Sequence, residues 1–189
     1  MKSVFVDIER CTACKSCEIA CAVEHSASKS LFAAVFEEPR PQKRIHVEKA
    51  LAFAYPVRCV HCADAPCVAA CPNGAMARET ALGRVFVNEE RCQGCFMCAM
   101  VCQFGAISAH PRTGIAVKCD FCPARLRLGL TPACVEACPT GALLCGEEEV
   151  LSGAKRSATA LAVARAVGRT AGLPADASPL GVLRSLGGK

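Results

Sequence analysis

Apolar and polar positions alternate in short bursts along this chain. Val4, Val6 and Ile8 alternate in SVFVDIERC, Val85 and Val87 alternate in RVFVNEERC, and the apolar run GIAVKC ends at Cys119. Alternation with period two over a few residues predicts half-buried strands. Each burst leads into a cysteine-rich segment. Three further strand-like pieces, GAMARE, GAISAH and GALLCG, follow such segments after Cys71, Cys102 and Cys138. The predicted unit is strand, cysteine loop, short helix carrying the fourth cysteine, turn, strand. Gly74, Gly105 and Gly141 each stand three residues after a fourth cysteine and are expected to make the tight turns. In residues 22–58, RIHVEKALAFAY alternates as a strand or hairpin between the Pro-containing loops EEPRP and YPVR. A helix is expected over 147–169, carrying Leu161, Val163 and Val167. After a break at Gly172–Pro174, Ser178 and Pro179 open a last short helix with Leu180, Leu183 and Leu186, stopped by Gly187. The elements together predict an α+β fold with a helical C-terminal extension.

Composition changes this picture by showing how little the core has to work with. Apolar residues make up 52%, but 17 of the positions counted are Cys, there is no Trp, and Tyr occurs once. A core of these side chains alone would be thin for 189 residues, so the cysteines must organise it. Disulfides require an oxidising compartment. No apolar signal-peptide core precedes Cys11, so a cytoplasmic chain is expected. Cys11, Cys14 and Cys17 also crowd one short loop, where three thiols cannot all form unstrained bridges. Metal binding is the better reading. No stretch is long and apolar enough to span a membrane; the best, Ala158–Val167, is short and contains Arg165.

Sixteen of the cysteines fall into four quartets: Cys11, Cys14, Cys17 and Cys21; Cys59, Cys62, Cys67 and Cys71; Cys92, Cys95, Cys98 and Cys102; Cys119, Cys122, Cys134 and Cys138. Cysteines at i, i+3 and i+6 let one loop present three thiolates to three corners of a [4Fe–4S] cube. The fourth leaves on a helical turn, and in two-cluster ferredoxins it ligates the other cluster. Zinc needs only four ligands in all, so a third and fourth cysteine per segment would be superfluous. Four clusters, and 16 metal-ligating cysteines, are expected. Bound sites of charge 2− take the formal +5 to about −3, so the basic pI does not argue for nucleic acid. Arg40, Lys43 and Arg44 read as a solvated loop or docking patch, His61 as an ordinary loop histidine, Met97 and Met100 as shields around a cluster, and Cys145 as a small buried hydrophobe. His25, His46 and His110 show no ligand partner in the sequence. No nucleotide fingerprint or catalytic constellation is visible, so no catalytic residues are expected.

CAVEHSASKSL after the first quartet, with VKCDFCPARL and ACVEACPTGAL around the last, carry a family resemblance. Over residues 1–146 the chain resembles the four-cluster ferredoxin-like electron-transfer subunits. These serve carbon monoxide dehydrogenase, hydrogenase, formate dehydrogenase, dimethyl sulfoxide reductase and tungsten aldehyde oxidoreductase. The first and last of these fit best. The resemblance implies two pseudo-symmetric dicluster halves, 1–30 with 115–146 and 55–114, and an extension over 147–189 for partner docking or self-assembly. It implies crosswise ligation: Cys11, Cys14, Cys17 and Cys138; Cys119, Cys122, Cys134 and Cys21; Cys59, Cys62, Cys67 and Cys102; Cys92, Cys95, Cys98 and Cys71. It further implies a non-catalytic subunit of a cytoplasmic complex. Such a subunit relays electrons between a catalytic metalloenzyme and a flavin/NAD subunit or a ferredoxin. A freely diffusing ferredoxin and a structural zinc protein are the alternatives.

Overall fold

The structure, a computed structural model, describes residues 2–166. Val4–Cys145 form the larger of two compact units, and the rest of the described residues belong to the smaller. The strands are β1 (Lys2–Val6), β2 (Ile45–Ala50), β3 (Phe53–Arg58), β4 (Met76–Glu79), β5 (Arg84–Val87), β6 (Ile107–Ala109), β7 (Ala116–Lys118) and β8 (Leu143–Glu147). The α-helices are α1 (Ser16–Glu24), α2 (Leu31–Ala34), α3 (Pro66–Ala69), α4 (Met97–Met100), α5 (Pro123–Arg127), α6 (Ala133–Glu136) and α7 (Glu148–Ala166). The fold is mixed α+β. Among the described residues, its strands form four two-stranded sheets, β1–β8, β2–β3, β4–β5 and β6–β7. RIHVEKALAFAY folds as the β2–β3 antiparallel hairpin, with Ile45 opposite Arg58. Met76 pairs with Val87 and Ile107 with Lys118 in the two hairpins that follow.

The expected unit is present with one correction. The short helices α3, α4 and α6 carry the third cysteine (Cys67, Cys98, Cys134), and the fourth lies just beyond the helix end. Pro72 and Pro139 explain two of these stops, because the residue before a proline is pushed out of the helical region. No proline follows Cys21, and there α1 runs on through it to Glu24. Gly74, Gly105 and Gly141 have φ of +60°, +57° and +63°, the left-handed turns that glycine makes without strain.

Two apolar clusters fill the larger unit. Val4, Ile45, Phe121 and Leu143 gather with Cys17, Cys21 and Cys134. Ala65, Met76, Val85 and Ala116 gather with Cys98. Cysteines complete both cores, as the scarcity of large apolar residues requires.

In the smaller unit, α7 is a 19-residue helix. Leu151 packs against Gly146, where a β-carbon would lie 3.3 Å from the leucine side chain. Val150 and Val163 are exposed. Val167 and the expected helix from Ser178 to Gly187 lie outside the described residues.

Candidate metal centres

The four cysteine loops share a backbone device. In each, the residue just before the second cysteine is left-handed: Ala13 (φ +57°), His61 (+54°), Gly94 (+67°) and Phe121 (+67°). A left-handed non-glycine residue costs roughly 1–2 kcal/mol and persists only where its surroundings impose it. The conformation turns successive N–H groups toward one point, the concave arrangement that binds anionic clusters. Lys15 and Phe96, also left-handed, stand immediately before α1 and α4 and start those helices beneath their loops.

The loops bring cysteines together across segments. One cleft is lined by Cys11, Cys14, Cys17 and Cys138. A second is lined by Cys59, Cys62, Cys67 and Cys102. A third is lined by Cys71, Cys92, Cys95 and Cys98. The remaining four are electrostatic neighbours, since Cys134 feels Cys119, Cys21 and Cys122. Each group thus joins three cysteines of one segment to the fourth of another. Cys145 belongs to none of the four; it packs beside the first core cluster.

The groups are also neighbours of one another. Cys17 and Cys21 share α1. Cys119 feels the charge of Cys59, and Cys98 feels that of Cys67. The order is therefore the Cys14 group, the Cys119 group, the Cys59 group and the Cys95 group. Cys14 and Cys95, in the two terminal groups, are exposed.

The spacing of the sulfurs separates cluster from zinc. Four thiolates around one Zn²⁺ at about 2.3 Å would sit roughly 3.8 Å apart. Among the described residues, the one set of three ligand atoms all within 4.8 Å of one another is His25, Asp120 and Cys122. No cysteine quartet closes that far. The cysteines stand apart around clefts, which suits a polynuclear cluster.

Hydrogen bonds already point at the sulfurs. Arg44 N–H donates to Cys21 Sγ (3.2 Å), Met76 N–H to Cys71 Sγ and Ala116 N–H to Cys92 Sγ (both 3.4 Å). Burial pushes the Cys17 thiol up to about 11 and Cys21 and Cys122 to about 12. Burial opposes ionisation at Cys71 and Cys138 as well, but backbone N–H groups outweigh it and lower both. Thiols buried this deeply would give up their protons to a bound metal rather than to water, which would couple metal binding to folding.

Several charged side chains have roles that the sequence did not disclose. Glu18, 8% exposed, accepts hydrogen bonds from Val47 N–H (2.6 Å) and Lys43 Nζ (2.7 Å). Asp120 accepts from Cys122 N–H (2.9 Å) and pairs with Arg44 (2.8 Å) and His25 (3.1 Å). Against the cost of burial, His25 and Arg44 hold its carboxyl well below the usual range. Lys43 and Arg44 are thus structural pairs rather than a solvated patch. His61 is buried between Val85 and Phe121, its Nδ1 accepting from Val85 N–H (3.0 Å) and its ring 5.4 Å from that of Phe121. Burial, with Lys118 and Arg58 nearby, drives it down to about 3 and keeps it neutral. Met97 and Met100 are exposed, not shielding, with Met100 at 85%.

Residues 50–148, more than half the chain, match the 4Fe-4S dicluster domain family, and residues 10–76 match a second family of the same description. The chain belongs to the 4Fe-4S dicluster proteins. Two dicluster domains correspond to four [4Fe–4S] clusters. Similar proteins point the same way. An "Iron-sulfur protein" of Rhodospirillum rubrum is 38% identical over 174 residues, 86% of this chain and 90% of its own. "Electron transport protein HydN" of Escherichia coli (strain K12) is 38% identical over 176 residues, 84% and 97% of the two chains. "Thiosulfate reductase electron transfer subunit PhsB" of Salmonella typhi is 38% identical over 141 residues, 74% and 72%. As a member of this family, the dicluster protein described here is an electron-transfer chain and not a catalytic subunit. Among its described residues, no helix is long and apolar enough to cross a membrane.

Proposed function

We propose that the four cross-segment cysteine groups each hold one [4Fe–4S] cluster, and that the chain relays electrons along them within an oxidoreductase complex. The observation that carries this is the lining of the three clefts, each by three cysteines of one segment and one from another. A bound cluster supplies one-electron chemistry. The protein's part is to hold each cluster, keep it dry and aim N–H groups at its sulfurs, which favours the added negative charge of the reduced state. The exposed Cys14 and Cys95 mark the two ends where electrons enter and leave. Residues 1–146 form the cluster-bearing domain, in halves 1–30 with 115–146 and 55–114, supported by the two core clusters.

The partner we infer is a catalytic metalloenzyme of the carbon monoxide dehydrogenase or tungsten aldehyde oxidoreductase type, with a flavin/NAD subunit or a ferredoxin as second partner. The support is the resemblance of the segments around the first and last quartets. A cytoplasmic site suits a protein that must keep 16 thiolates reduced. Residues 147–189 serve docking or self-assembly, and truncation after Glu149 should remove the partner while leaving the clusters.

Ligation is tested by comparing Cys14→Ser, Cys138→Ser and Cys119→Ser in anaerobic EPR. Cys138→Ser should perturb the same cluster signal as Cys14→Ser. If it instead matches Cys119→Ser, the crosswise arrangement is wrong. Purification of the native complex, with nickel and tungsten analysis of the co-purifying subunit, tests the partner. A protein that purifies alone refutes it.

A further inference from the structure

A basic residue precedes the first cysteine of every quartet: Arg10, Arg58, Arg91 and Lys118. Their environments differ sharply. Arg91 is exposed and Arg10 partly so. Arg58 and Lys118, which precede the two inner quartets, are 7% and 3% exposed.

Lys118 Nζ donates to Cys119 O (3.0 Å), to Val85 O and to Cys59 Sγ (3.7 Å). Arg58 donates to Cys59 O (2.7 Å) and to Val4 O, and its Nε has no partner. No carboxylate is among these acceptors. A buried cation without an anion is strongly destabilising, so these two need countercharge. Asp120, which acts on His61 together with them, is already paired with Arg44 and His25, and the cysteine sites supply the further anions within reach. Cys67 feels Lys118, while Cys119 and Cys134 feel Arg58. Lys118 occupies a singular position, covalently next to Cys119 of one inner group and hydrogen-bonded to Cys59 of the other.

We propose that Lys118 is a positioning residue that sets the reduction potential of the cluster held by Cys59, Cys62, Cys67 and Cys102. This rests on the cluster reading above. Reduction adds one negative charge to a site that is already 2−. A fixed ammonium against Cys59 stabilises the reduced form more than the oxidised one, most strongly where water is excluded. Lys118 therefore raises that potential and favours passage of the electron between the two halves.

The test is an anaerobic, EPR-monitored redox titration of the purified holoprotein. The relevant signal is assigned as the one that Cys67→Ser perturbs. Lys118→Met should keep all four clusters and lower the reduction equilibrium constant of that cluster at least tenfold, which is about 59 mV for one electron. Lys118→Arg should restore it to within roughly threefold. Arg91→Met, an exposed cation beside an outer quartet, should change every constant less than twofold. Lys118→Met with four clusters at unchanged potentials overturns the proposal. Loss of clusters from Lys118→Met also overturns it, because Lys118 would then serve assembly. A failure of the cluster reading itself would appear separately, as wild-type protein without its iron and sulfide.

Discussion

Glu18 lies on α1 between Cys17 and Cys21, which belong to different cysteine groups, and it anchors that helix to the β2–β3 hairpin. Glu18→Ala removes the acceptor of Val47 N–H. An amide left unpaired in a largely buried site costs about 1–3 kcal/mol. The same change breaks the ion pair with Lys43, whose side chain is 41% exposed, so that loss adds well under about 1 kcal/mol. The total is about 2 kcal/mol, roughly a thirtyfold change in an equilibrium constant. Cluster loss is irreversible, so the useful readout is a rate. Anaerobic holoprotein in guanidinium chloride, followed by bleaching of the cluster absorbance, should lose clusters up to roughly thirtyfold faster in Glu18→Ala. Lys43→Met should change the rate about twofold. Glu18→Gln keeps an oxygen for Val47 and should fall between. A Glu18→Ala rate within twofold of wild type would mean that Glu18 does not anchor α1 to the hairpin. A Lys43→Met effect as large as that of Glu18→Ala would mean that the backbone hydrogen bond carries little.

Gly94 has φ of +67°, and a β-carbon there would meet Gly114 O at 2.6 Å, backbone against backbone. Gly94→Ala should cost more than about 2 kcal/mol and weaken the Cys95 group, whereas Gly105→Ala, with nothing within 4 Å, should cost only about 1 kcal/mol; anaerobic unfolding of the two variants compares them. Asp120→Ala strips partners from Cys122 N–H, His25 and Arg44 and should speed loss of the neighbouring cluster by tenfold or more, read from the decay of its EPR signal. Removal of iron should leave no stable fold, because cysteines complete both cores. A cooperative calorimetric transition in the apoprotein would contradict this.

The cysteine spacing made most of the larger unit readable. The alternating stretches became β1, β5 and the β2–β3 hairpin because strand periodicity is local. The turn glycines were readable for the same reason. What escaped depends on distant chain. Lys43 and Arg44 looked like solvent-facing charges, yet their partners Glu18 and Asp120 arrive only when α1 and the last quartet meet the hairpin. His61 looked like a loop histidine, and its burial comes from Val85 and Phe121 on other segments. The basic residue ahead of each quartet was visible in the sequence, but only the fold shows that Arg58 and Lys118 are buried while Arg91 is not. Met97 and Met100 depart from the expectation because apolar residues beside a cysteine need not face it. In α4 they fall on the solvent side, while Cys98 is buried.

This chain is built around four [4Fe–4S] clusters. Iron, zinc and acid-labile sulfide in anaerobically purified wild-type protein test this most directly. About 16 iron atoms and 16 sulfides per chain are expected, with no stoichiometric zinc. About eight of each, or zinc without sulfide, would contradict it.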